Sequence, residues 1–305
     1  MLYFFAFYLA LLLSYLLFYP ALMLSNVFGA IDIPEERKIH LQPTARGGGF
    51  SLYAPFSLLL VLIPIENNLK IPLLLSSTII FLVGFLDDII DISPFIKLFG
   101  QFFALIVYFF ISEFLDYKIS ILEGILSTIW IIFITNATNL IDGLNGLATG
   151  VCASQAFCLG ALALISGKYN ILLCTLILLG ALLGFLPRNF PHAKIFMGDC
   201  GALFLGFTLA ILSSRLVIET PNIACLFATL LVFRIPTYDT NITIIRRIIK
   251  GKNPFKADKN HFHHQLLKHG FEKECVTFLL ITLSLLFGLF GIILLLNCTK
   301  ISLPF

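Results

Sequence analysis

The stretch that decides the fold is residues 119–150, ISILEGILSTIWIIFITNATNLIDGLNGLATG. Residues 119–138 are dominated by apolar side chains and are long enough to cross the hydrocarbon core of a bilayer, which is about 30 Å thick. Asn136, Asn139 and Asp142 then follow at a spacing of three, so a helix would place them on one stripe. We therefore predict a membrane-spanning helix that ends in a polar site.

The composition extends this prediction to the whole chain. Of 305 residues, 59% are hydrophobic and only 12% are charged, and the mean hydropathy is +0.98. Soluble domains carry roughly 25% charged residues, so we predict an integral membrane protein. Its apolar runs are continuous and not alternating, which favours helices over a barrel. The net charge of +3 is too small to indicate nucleic-acid binding.

We predict an all-α, polytopic fold in a single transmembrane catalytic domain, residues 1–305. The apolar runs give ten spans, or eleven because several are short. The predicted spans are 2–26, 50–65, 71–86, 98–112, 119–138, 147–166, 171–186, 201–217, 223–237 and 276–297.

The loops between these spans fall into two sets of unequal charge. One set, which includes the loop nearest to Arg234, holds 15 of the 20 Lys and Arg residues. The positive-inside rule places this set in the cytoplasm and both termini outside. Because the polar motifs all lie in this set, we expect one site on the cytoplasmic face. The loops of this set are 27–49, 87–97, 139–146, 187–200 and 238–275.

Paired carboxylates form the first candidate site. Asp87 and Asp88 end the third predicted span, and Asp91 and Lys97 follow. Adjacent carboxylates can hold a divalent cation or act as a base with a raised pKa. A solvated helix end is the alternative, but acidic side chains oppose the helix dipole at a C-terminus. The pattern therefore favours a functional role.

Two further carboxylates lie beside glycines. Asp142 is followed by Gly143 and Gly146, which permit a sharp turn or a close approach of backbone to a ligand. The alternative is a helix break capped by the neighbouring Asn side chains. Asp199, between Gly198 and Cys200, is either the N-cap of a helix or a second metal ligand that faces Asp142.

Basic side chains are concentrated in the loop 238–275. They could contact anionic lipid, and the histidines could bind zinc, but their sign and density fit phosphate better. Earlier in the chain, Arg46 precedes three glycines, which suits either an anion-binding turn or a flexible entry to a helix. The basic residues of the loop are Arg246, Arg247, Lys250, Lys252, Lys256, Lys259, His261, His263 and His264.

Taken together and in this order, the motifs resemble the polyprenyl-phosphate N-acetylhexosamine-1-phosphate transferase family. Within the family, four features are most similar to the bacterial undecaprenyl-phosphate GlcNAc-1-phosphate transferases: the His-x-His-His form, Tyr238-Asp239-Thr240, Arg246-Arg247, and residues 253–255, Asn-Pro-Phe. The phospho-MurNAc-pentapeptide transferases, which typically have three consecutive histidines, are the alternative. The matching pieces are Pro43–Gly49, Asp87-Asp88 with Lys97, Asn136–Gly146, Phe196–Gly201 and Pro236–His264.

The resemblance implies a membrane phosphoglycosyltransferase with Mg²⁺ as cofactor, or Mn²⁺ in its place. The substrates implied are a UDP-N-acetylhexosamine and undecaprenyl or another polyprenyl phosphate, in a bacterial inner membrane and without nucleic acid. The lipid-linked product would start O-antigen, teichoic acid linkage or a similar glycan. The exact sugar, the one-step or two-step mechanism, and a monomeric or homodimeric state stay open.

The resemblance also assigns roles to residues. It gives the metal to Asp142 and Asp199. Catalytic roles fall to Asp87, Asp88, Lys97, His261, His263 and His264. Substrate contacts fall to Asn136, Asn139, Leu144, Asn145, Phe196, Arg46 and Arg247.

One position departs from the family. Many bacterial members have Asp where this chain has Asn145.

A transporter of lipid or sugar is the competing class. Its mark would be ionisable residues in the middle of the spans. Here Asp and Glu gather at the predicted helix ends, which favours an enzyme at the membrane interface.

Overall fold

A computed structural model describes residues 1–33, 43–251 and 261–299 of the chain. These residues form thirteen helices and one antiparallel pair of two-residue strands, in which Ile31 is paired with Ala45. The strands are β1 (Ile31–Asp32) and β2 (Thr44–Ala45). The helices are α1 (Leu2–Leu16), α2 (Phe18–Phe28), α3 (Gly49–Leu62), α4 (Asn67–Ile90), α5 (Pro94–Phe114), α6 (Ile121–Ile141), α7 (Leu147–Ile165), α8 (Tyr169–Asn189), α9 (Gly198–Glu219), α10 (Ile223–Val232), α11 (Arg234–Ile249), α12 (Phe262–Lys268) and α13 (Lys273–Thr299).

Local sequence accounts for where the central helices begin. At α5, Pro94 occupies the first turn and the Ser93 hydroxyl accepts from the backbone N–H of Ile96 at 3.4 Å. At α6, Ser120 and Glu123 form a capping box, which satisfies donors that the first turn leaves without helical partners. These two starts fix where the helices that carry Lys97 and Asn139 enter the bundle.

The prediction of an all-helical, multi-pass membrane protein is confirmed. Seven helices of the described chain are long and apolar enough to cross a membrane, or up to nine if each of two bent pairs forms one span. The predicted span 223–237 is wrong as a single helix, because α10 ends at Val232 and α11 departs at 74°. The predicted span 2–26 is likewise broken, by 43°, between α1 and α2. The helix α3 has 14 residues and is shorter than the spans.

Several segments predicted as loops are helical. Residues 238–275 were expected to be one loop, yet α11 continues to Ile249 and α12 follows at Phe262. Helix α4 runs past Asp87 and Asp88 to Ile90, and α6 runs past Asn139 to Ile141. The polar residues therefore extend apolar helices by a turn, since tertiary partners satisfy them there. Hydropathy ends a predicted span too early in such cases.

A close approach of two helices positions the acidic residues. A Cβ placed on Gly84 of α4 would lie 2.5 Å from the backbone of Asp199 and Cys200 at the start of α9. Small residues at such contacts let helix backbones pack closely inside a membrane. Because Gly84 precedes Asp87 and Asp88 by one turn, this contact brings both carboxylates to the N-terminus of α9.

Two polar cavities lie at opposite ends of the bundle. The larger, about 570 Å³, is lined by the connectors that follow α4, α6 and α8 and by the start of α13. We call its end of the bundle the site end. The other, about 520 Å³, is lined by the connectors before α4, α6 and α8 and by the end of α9. We call that end the opposite end.

Candidate active site

Asp88 is tied to the first turn of α9. Its Oδ1 accepts from the backbone N–H of Asp199 at 2.8 Å, and its Oδ2 accepts from that of Cys200 at 3.0 Å. The carboxylate of one helix thus caps another, where the helix dipole favours negative charge. Asp199 itself does not cap α9, which begins after Met197 without a side-chain cap. The N-cap alternative for Asp199 is therefore wrong.

Lys97 joins two carboxylates. Its Nζ contacts Oδ2 of both Asp87 and Asp199, and all three side chains are at most about one-fifth exposed. The Asn139 side chain also hydrogen-bonds Asp199. Helices α4, α5, α6 and α9 therefore meet at one cluster, and four of the predicted residues come together there.

Arg46 adds a second cation beside this cluster. Its Nε lies 3.8 Å from Oδ1 of Asp88, and its Nη1 lies 3.7 Å from Oδ1 of Asp91. The Arg46 segment is held by backbone bonds, since Phe196 N donates to Ala45 O at 2.8 Å. Gly198, with φ +73°, leaves no room for a Cβ against Arg46 O. Glycine at position 198 therefore permits the close approach of these two backbone segments.

Asp142 forms the wall of the larger cavity where α6 ends. Burial raises the pKa of its carboxyl to about 7, and the nearby charges of Asp199 and Asp88 act in the same direction. The same cavity is lined by Arg46, Asn139, Leu144, Asn145, Phe196 and Asp199 among the predicted site residues. Asp91, which follows Asp87 and Asp88 in the sequence motif, also lines it. The wall further contains residues that the sequence did not single out, Asp32, Lys273, Glu274 and Thr277.

Asn189 organises the turn after Asp142 and was missed from the sequence. Its Oδ1 accepts from Gly146 N at 3.1 Å and from the Thr149 hydroxyl at 2.7 Å. Its Nδ2 donates to Ile195 O at 3.1 Å. On the other side of the turn, Asn145 Nδ2 donates to Pro191 O at 3.0 Å. The position of Asn189, ten residues before Asp199 at the end of an apolar helix, was the available signal.

The structure does not show the alternative in which Asn side chains cap the helix ends at this turn. Asp142 is the C-cap of α6, and α7 begins after Gly146 with no side-chain cap. Asn136 lies one turn deeper, outside the wall of the cavity. Its Nδ2 donates to Gln101 Oε1 at 2.8 Å, and Gln101 Nε2 donates back to Asn136 Oδ1 at 3.2 Å. Asn136 therefore joins α6 to α5 beneath Asn139.

The histidines lie behind the cavity wall. Asp239 of α11 accepts through Oδ1 from Phe262 N at 2.6 Å, and its Oδ2 lies 2.9 Å from His261 Nδ1. The ring of His263 stacks on that of His261 at 5.9 Å and contacts the ring of His264 at 4.3 Å. Asp239 thus anchors the start of α12, a role that the sequence did not reveal.

His263 connects this histidine cluster to the Asp142 turn. Its Nε2 lies 2.5 Å from the place that a Cβ on Gly143 would occupy, so any other residue at position 143 would have to displace the His263 ring. Burial lowers the pKa of His263 to about 4, and His264 and His261 act in the same direction. The ring is therefore neutral at pH 7.

The remaining basic residues surround α11 and α12. Arg247 is buried in α11 and, like His264, has partners of its own. Neither residue lines the larger cavity. Lys252, Lys256, Lys259 and the Asn-Pro-Phe segment 253–255 lie outside the described residues.

The acidic cluster has the charge and donors that suit Mg²⁺. Four carboxylates, Asp87, Asp88, Asp142 and Asp199, face two cations, Lys97 and Arg46. In residues 1–33, 43–251 and 261–299, no three His, Cys, Asp or Glu side chains are arranged to hold a metal by themselves. Mg²⁺ usually takes one or two carboxylates and completes its shell with water and substrate phosphates. The donor set fits that mode of binding.

Fold and site together define a multi-pass membrane protein with an acidic, partly open cavity at one end of its bundle. The sequence profile of glycosyl transferase family 4 matches residues 71–217. A Bacillus subtilis protein named as a probable undecaprenyl-phosphate N-acetylglucosaminyl 1-phosphate transferase is 33% identical over 278 residues, which cover 87% of this chain and 77% of the relative. The chain therefore belongs to glycosyl transferase family 4. The match and the name of this relative confirm the resemblance to the polyprenyl-phosphate N-acetylhexosamine-1-phosphate transferases.

Two further relatives have different names. The undecaprenyl-phosphate alpha-N-acetylglucosaminyl 1-phosphate transferase of Thermotoga maritima is 31% identical over 266 residues, covering 86% of this chain and 81% of the relative. The phospho-N-acetylmuramoyl-pentapeptide-transferase of Staphylococcus saprophyticus is 32% identical over 275 residues, covering 82% and 84%. Relatives of both kinds are about equally identical to this chain. Sequence identity therefore does not show which sugar donor the chain uses.

Proposed function

We propose that the chain transfers an N-acetylhexosamine-1-phosphate, GlcNAc-1-phosphate in our first assignment, from a UDP-sugar to undecaprenyl phosphate. UMP is released, and the lipid-linked diphosphosugar starts a cell-surface glycan such as O-antigen or a teichoic acid linkage unit. The observation that carries this proposal is the Asp87–Lys97–Asp199 cluster beside a cavity of about 570 Å³. The names of the Bacillus and Thermotoga relatives support it.

In the proposed reaction, a phosphate oxygen of the lipid attacks the β-phosphorus of the UDP-sugar. A new P–O bond forms, the bond from the β-phosphorus to the bridging oxygen breaks, and the electron pair leaves with UMP. Asp87 positions the lipid phosphate, and Asp88 holds the N-terminus of α9 beside it. A phosphate monoester is mostly ionised at pH 7, its second pKa being about 6, so Asp87 need not be a strong base.

Charge neutralisation is the main task in phosphoryl transfer. Lys97 donates to the diphosphate when substrate replaces one of its carboxylate contacts, and Arg46 is the second cation at the cavity. Asp142 and Asp199 would hold Mg²⁺, which when bound neutralises diphosphate oxygens as a Lewis acid. His261, His263, His264 and Arg247 would supply further donors from α11 and α12.

The uridine would bind along the wall formed by the end of α6 and the start of α9. Phe196 offers a ring for stacking, and Leu144 and Asn145 line the same cavity. Asn139 already contacts Asp199, so we assign it to holding the carboxylate as well as to the nucleotide. Asn136 would act indirectly, by holding α6 against α5 through Gln101, since it lies outside the cavity wall.

We propose ten spans, in which α1 with α2 and α10 with α11 each count as one and α3 is a short span. The site end would then face the cytoplasm of a bacterial inner membrane and both termini would lie outside. The excess of Lys and Arg in the connectors of the site end supports this orientation.

One assay tests the function. Purified protein should release UMP from UDP-GlcNAc only when polyprenyl phosphate and Mg²⁺ are present. A panel with UDP-GalNAc and UDP-MurNAc-pentapeptide decides the donor, because the Staphylococcus saprophyticus relative carries the name of a MurNAc-pentapeptide transferase. Movement of lipid or sugar across vesicles without UMP release would instead support a transporter.

A further inference from the structure

Arg188 lies where a membrane-spanning helix ends, on the lateral surface of the bundle. It is in the last turn of α8, which ends at Asn189 at the site end. Helix α1 runs beside α8, and Ser14 Oγ donates to Ala181 O at 2.7 Å. This contact brings the bend between α1 and α2 close to Arg188. Because Arg188 does not line the larger cavity, it lies apart from the proposed reaction, at the boundary between membrane and water.

Three aromatic rings at this bend surround the guanidinium. Its central carbon lies 4.6 Å from the ring centroid of Tyr15, 4.7 Å from that of Phe18 and 6.0 Å from that of Tyr19. Phe18 is buried, whereas Tyr15 is 41% exposed and Tyr19 is 63% exposed. Tyr is enriched where a membrane meets water, since its ring is apolar and its hydroxyl is polar. The rings attract the cation and hold it at this boundary, but they do not neutralise its charge.

The charge of Arg188 has no counterpart in the described parts of the chain. Its Nε is buried and has no hydrogen-bond partner there. Among residues 1–33, 43–251 and 261–299, Arg188 also forms no ion pair with Asp or Glu. A guanidinium presents its N–H groups as a planar fork that matches the oxygens of a phosphate. A cation held by rings and left without an acceptor therefore suits an anion from outside the chain.

The surroundings of Arg188 combine positive charge with a hydrocarbon surface. Lys194 N donates to Arg188 O at 2.8 Å, which folds the connector after α8 back onto the helix end. The side chains of His192 and Lys194 are exposed in this connector. On the other side, Leu12 and Leu16 of α1 are about half exposed and face the lipid. A cationic centre above an apolar helix surface matches an amphiphile with an anionic head and a hydrocarbon tail.

We propose that Arg188 binds the phosphate of an anionic phospholipid, such as phosphatidylglycerol, from the leaflet at the site end. The guanidinium donates to phosphate oxygens, and an acyl chain lies along α1. A zwitterionic headgroup would bring a second cation, which Lys194 would repel, so the site favours an anionic headgroup. The reacting lipid phosphate is assigned to Asp87 beside the larger cavity. The lipid at Arg188 is therefore not a substrate, and this inference goes beyond the proposed function.

The proposed lipid site adjoins a residue that shapes the active site. Asn189 follows Arg188 directly, and its Oδ1 accepts from Gly146 N and from the Thr149 hydroxyl in the turn after Asp142. A phospholipid on Arg188 would fix the end of α8 and, with it, the position of Asn189. We therefore expect anionic phospholipid to increase turnover. This consequence rests on the proposed function, whereas the binding of phospholipid does not.

Native mass spectrometry of the full chain tests the binding. Wild type, Arg188→Gln and Arg188→Lys in neutral detergent are titrated with dioleoyl phosphatidylglycerol and with dioleoyl glycerol, which has the same chains but no phosphate. Lys118→Gln, which removes an exposed cation from a connector of the opposite end, is the control for net charge. Arg188→Gln should raise the Kd of the most tightly bound phosphatidylglycerol about 10- to 100-fold, the effect of losing one charge-assisted hydrogen bond. Arg188→Lys should recover part of this loss, and dioleoyl glycerol should bind weakly to every variant.

Equal Kd values for phosphatidylglycerol in wild type and Arg188→Gln would overturn the inference. So would an equal loss in Lys118→Gln, or dioleoyl glycerol binding as tightly as phosphatidylglycerol. Tighter binding of a prenyl phosphate would assign the site to the acceptor and would also overturn it. Tyr19→Leu keeps the cation but removes one exposed ring, so it should raise the Kd about two- to fivefold. If Arg188→Gln does not fold, wild-type affinity in both Tyr19→Leu and Arg188→Lys would overturn the inference instead.

UMP release in nanodiscs tests the consequence for turnover. Wild type should release UMP about fivefold faster in phosphatidylcholine that contains phosphatidylglycerol than in phosphatidylcholine alone, the lower end of usual coupling between two sites. Arg188→Gln should not respond to the added lipid. An equal response in both proteins would show that Arg188 does not couple phospholipid to turnover. Absence of UMP release in every lipid would reject the proposed function, while the titration would still decide whether Arg188 binds phospholipid.

Discussion

The two ends of the helical bundle handle buried charge in opposite ways. At the site end, the carboxylates of Asp87 and Asp199 share one ammonium group, Lys97. At the opposite end, Arg215 is 4% exposed and donates to Asn68 O, to Asn68 Oδ1 and to Glu219 Oε1, at 2.6–2.9 Å. The first arrangement leaves an excess of negative charge, whereas the second satisfies a single cation from several sides.

The difference separates a site from a structural clamp. Arg215 also stacks over Tyr117, with its guanidinium carbon 3.7 Å from the ring centroid, and Lys168 lies 3.6 Å from Glu219. These contacts tie the connectors of the opposite end together. The site end instead keeps several carboxylates close together, and burial, aided by the charges of Asp199 and Asp88, raises the pKa of Asp142 to about 7. The two cavities are similar in size but differ in charge. At the opposite end the buried cation is satisfied within the protein, whereas at the site end negative charge is in excess.

The largest effect should come from Asp199→Ala. Loss of a residue that stabilises charge in the transition state costs about 100- to 1,000-fold in rate, so we expect at least that loss in Mg²⁺-dependent UMP release. Glu113→Ala, an exposed carboxylate of the opposite end, is the matched control and should keep normal activity. Both proteins should elute as folded, monodisperse species. Near-normal turnover in Asp199→Ala would remove Asp199 from the metal and from catalysis.

Phe196→Ala should act on nucleotide affinity. Stacking of a base on an aromatic ring contributes about 1–3 kcal/mol, so KM for the UDP-sugar should rise about 10- to 100-fold while the acceptor KM stays constant. Phe271→Ala, an exposed Phe in the connector before α13, is the control. Titration of both substrates distinguishes the two constants. An unchanged KM for the UDP-sugar would mean that Phe196 does not stack on the base.

Asp142→Asn should stabilise the substrate-free protein while it lowers activity. The carboxyl has its ordinary pKa of 3.8 when unfolded and about 7 when folded. Its stabilising contribution is therefore complete below pH 4 and is lost as the pH rises through 7. We expect the advantage of the Asn variant to grow from pH 4 to 7 and then level off at a few kcal/mol, since one pKa unit corresponds to about 1.4 kcal/mol.

Thermal unfolding at pH 5 and pH 8, without Mg²⁺ and UDP-sugar, checks this prediction. A wild type that is at least as stable as Asp142→Asn at pH 8 would contradict the raised pKa.

Glu219→Gln should give the smallest effect. It should lower stability and leave activity unchanged, which is the reverse of the result expected for Asp142→Asn. It leaves Arg215 with its Asn68 contacts and puts a neutral amide oxygen, which can still accept from Arg215 Nε, in place of the carboxylate. The loss is that of one charge-assisted contact, about 1–2 kcal/mol. The melting temperature should fall by a few degrees, while UMP release at 25 °C stays within about twofold. Glu66→Gln, exposed at the rim of the same cavity, should change neither quantity. A large loss of activity in Glu219→Gln would show that the two ends are coupled.

Much of the site could be predicted from the sequence because its residues come in short motifs. Asp87 and Asp88 follow an apolar run directly, and Asp199 lies between such a run and its loop, so each motif was visible locally. Asn189 and Gln101 were missed because each is a single polar residue whose partner is distant in sequence. Gln101, for example, pairs with Asn136, 35 residues away.

The sequence by itself determined that the chain is a helical membrane protein, since long apolar runs have no other stable form in lipid. It also determined which carboxylates gather at one end, because helices that alternate in direction return their connectors to the same side. Only the tertiary structure decided that Asp88 caps α9, that Lys97 lies between Asp87 and Asp199, and that the chain bends by 74° between α10 and α11. These features depend on helix contacts across long sequence separations, which local hydropathy does not encode.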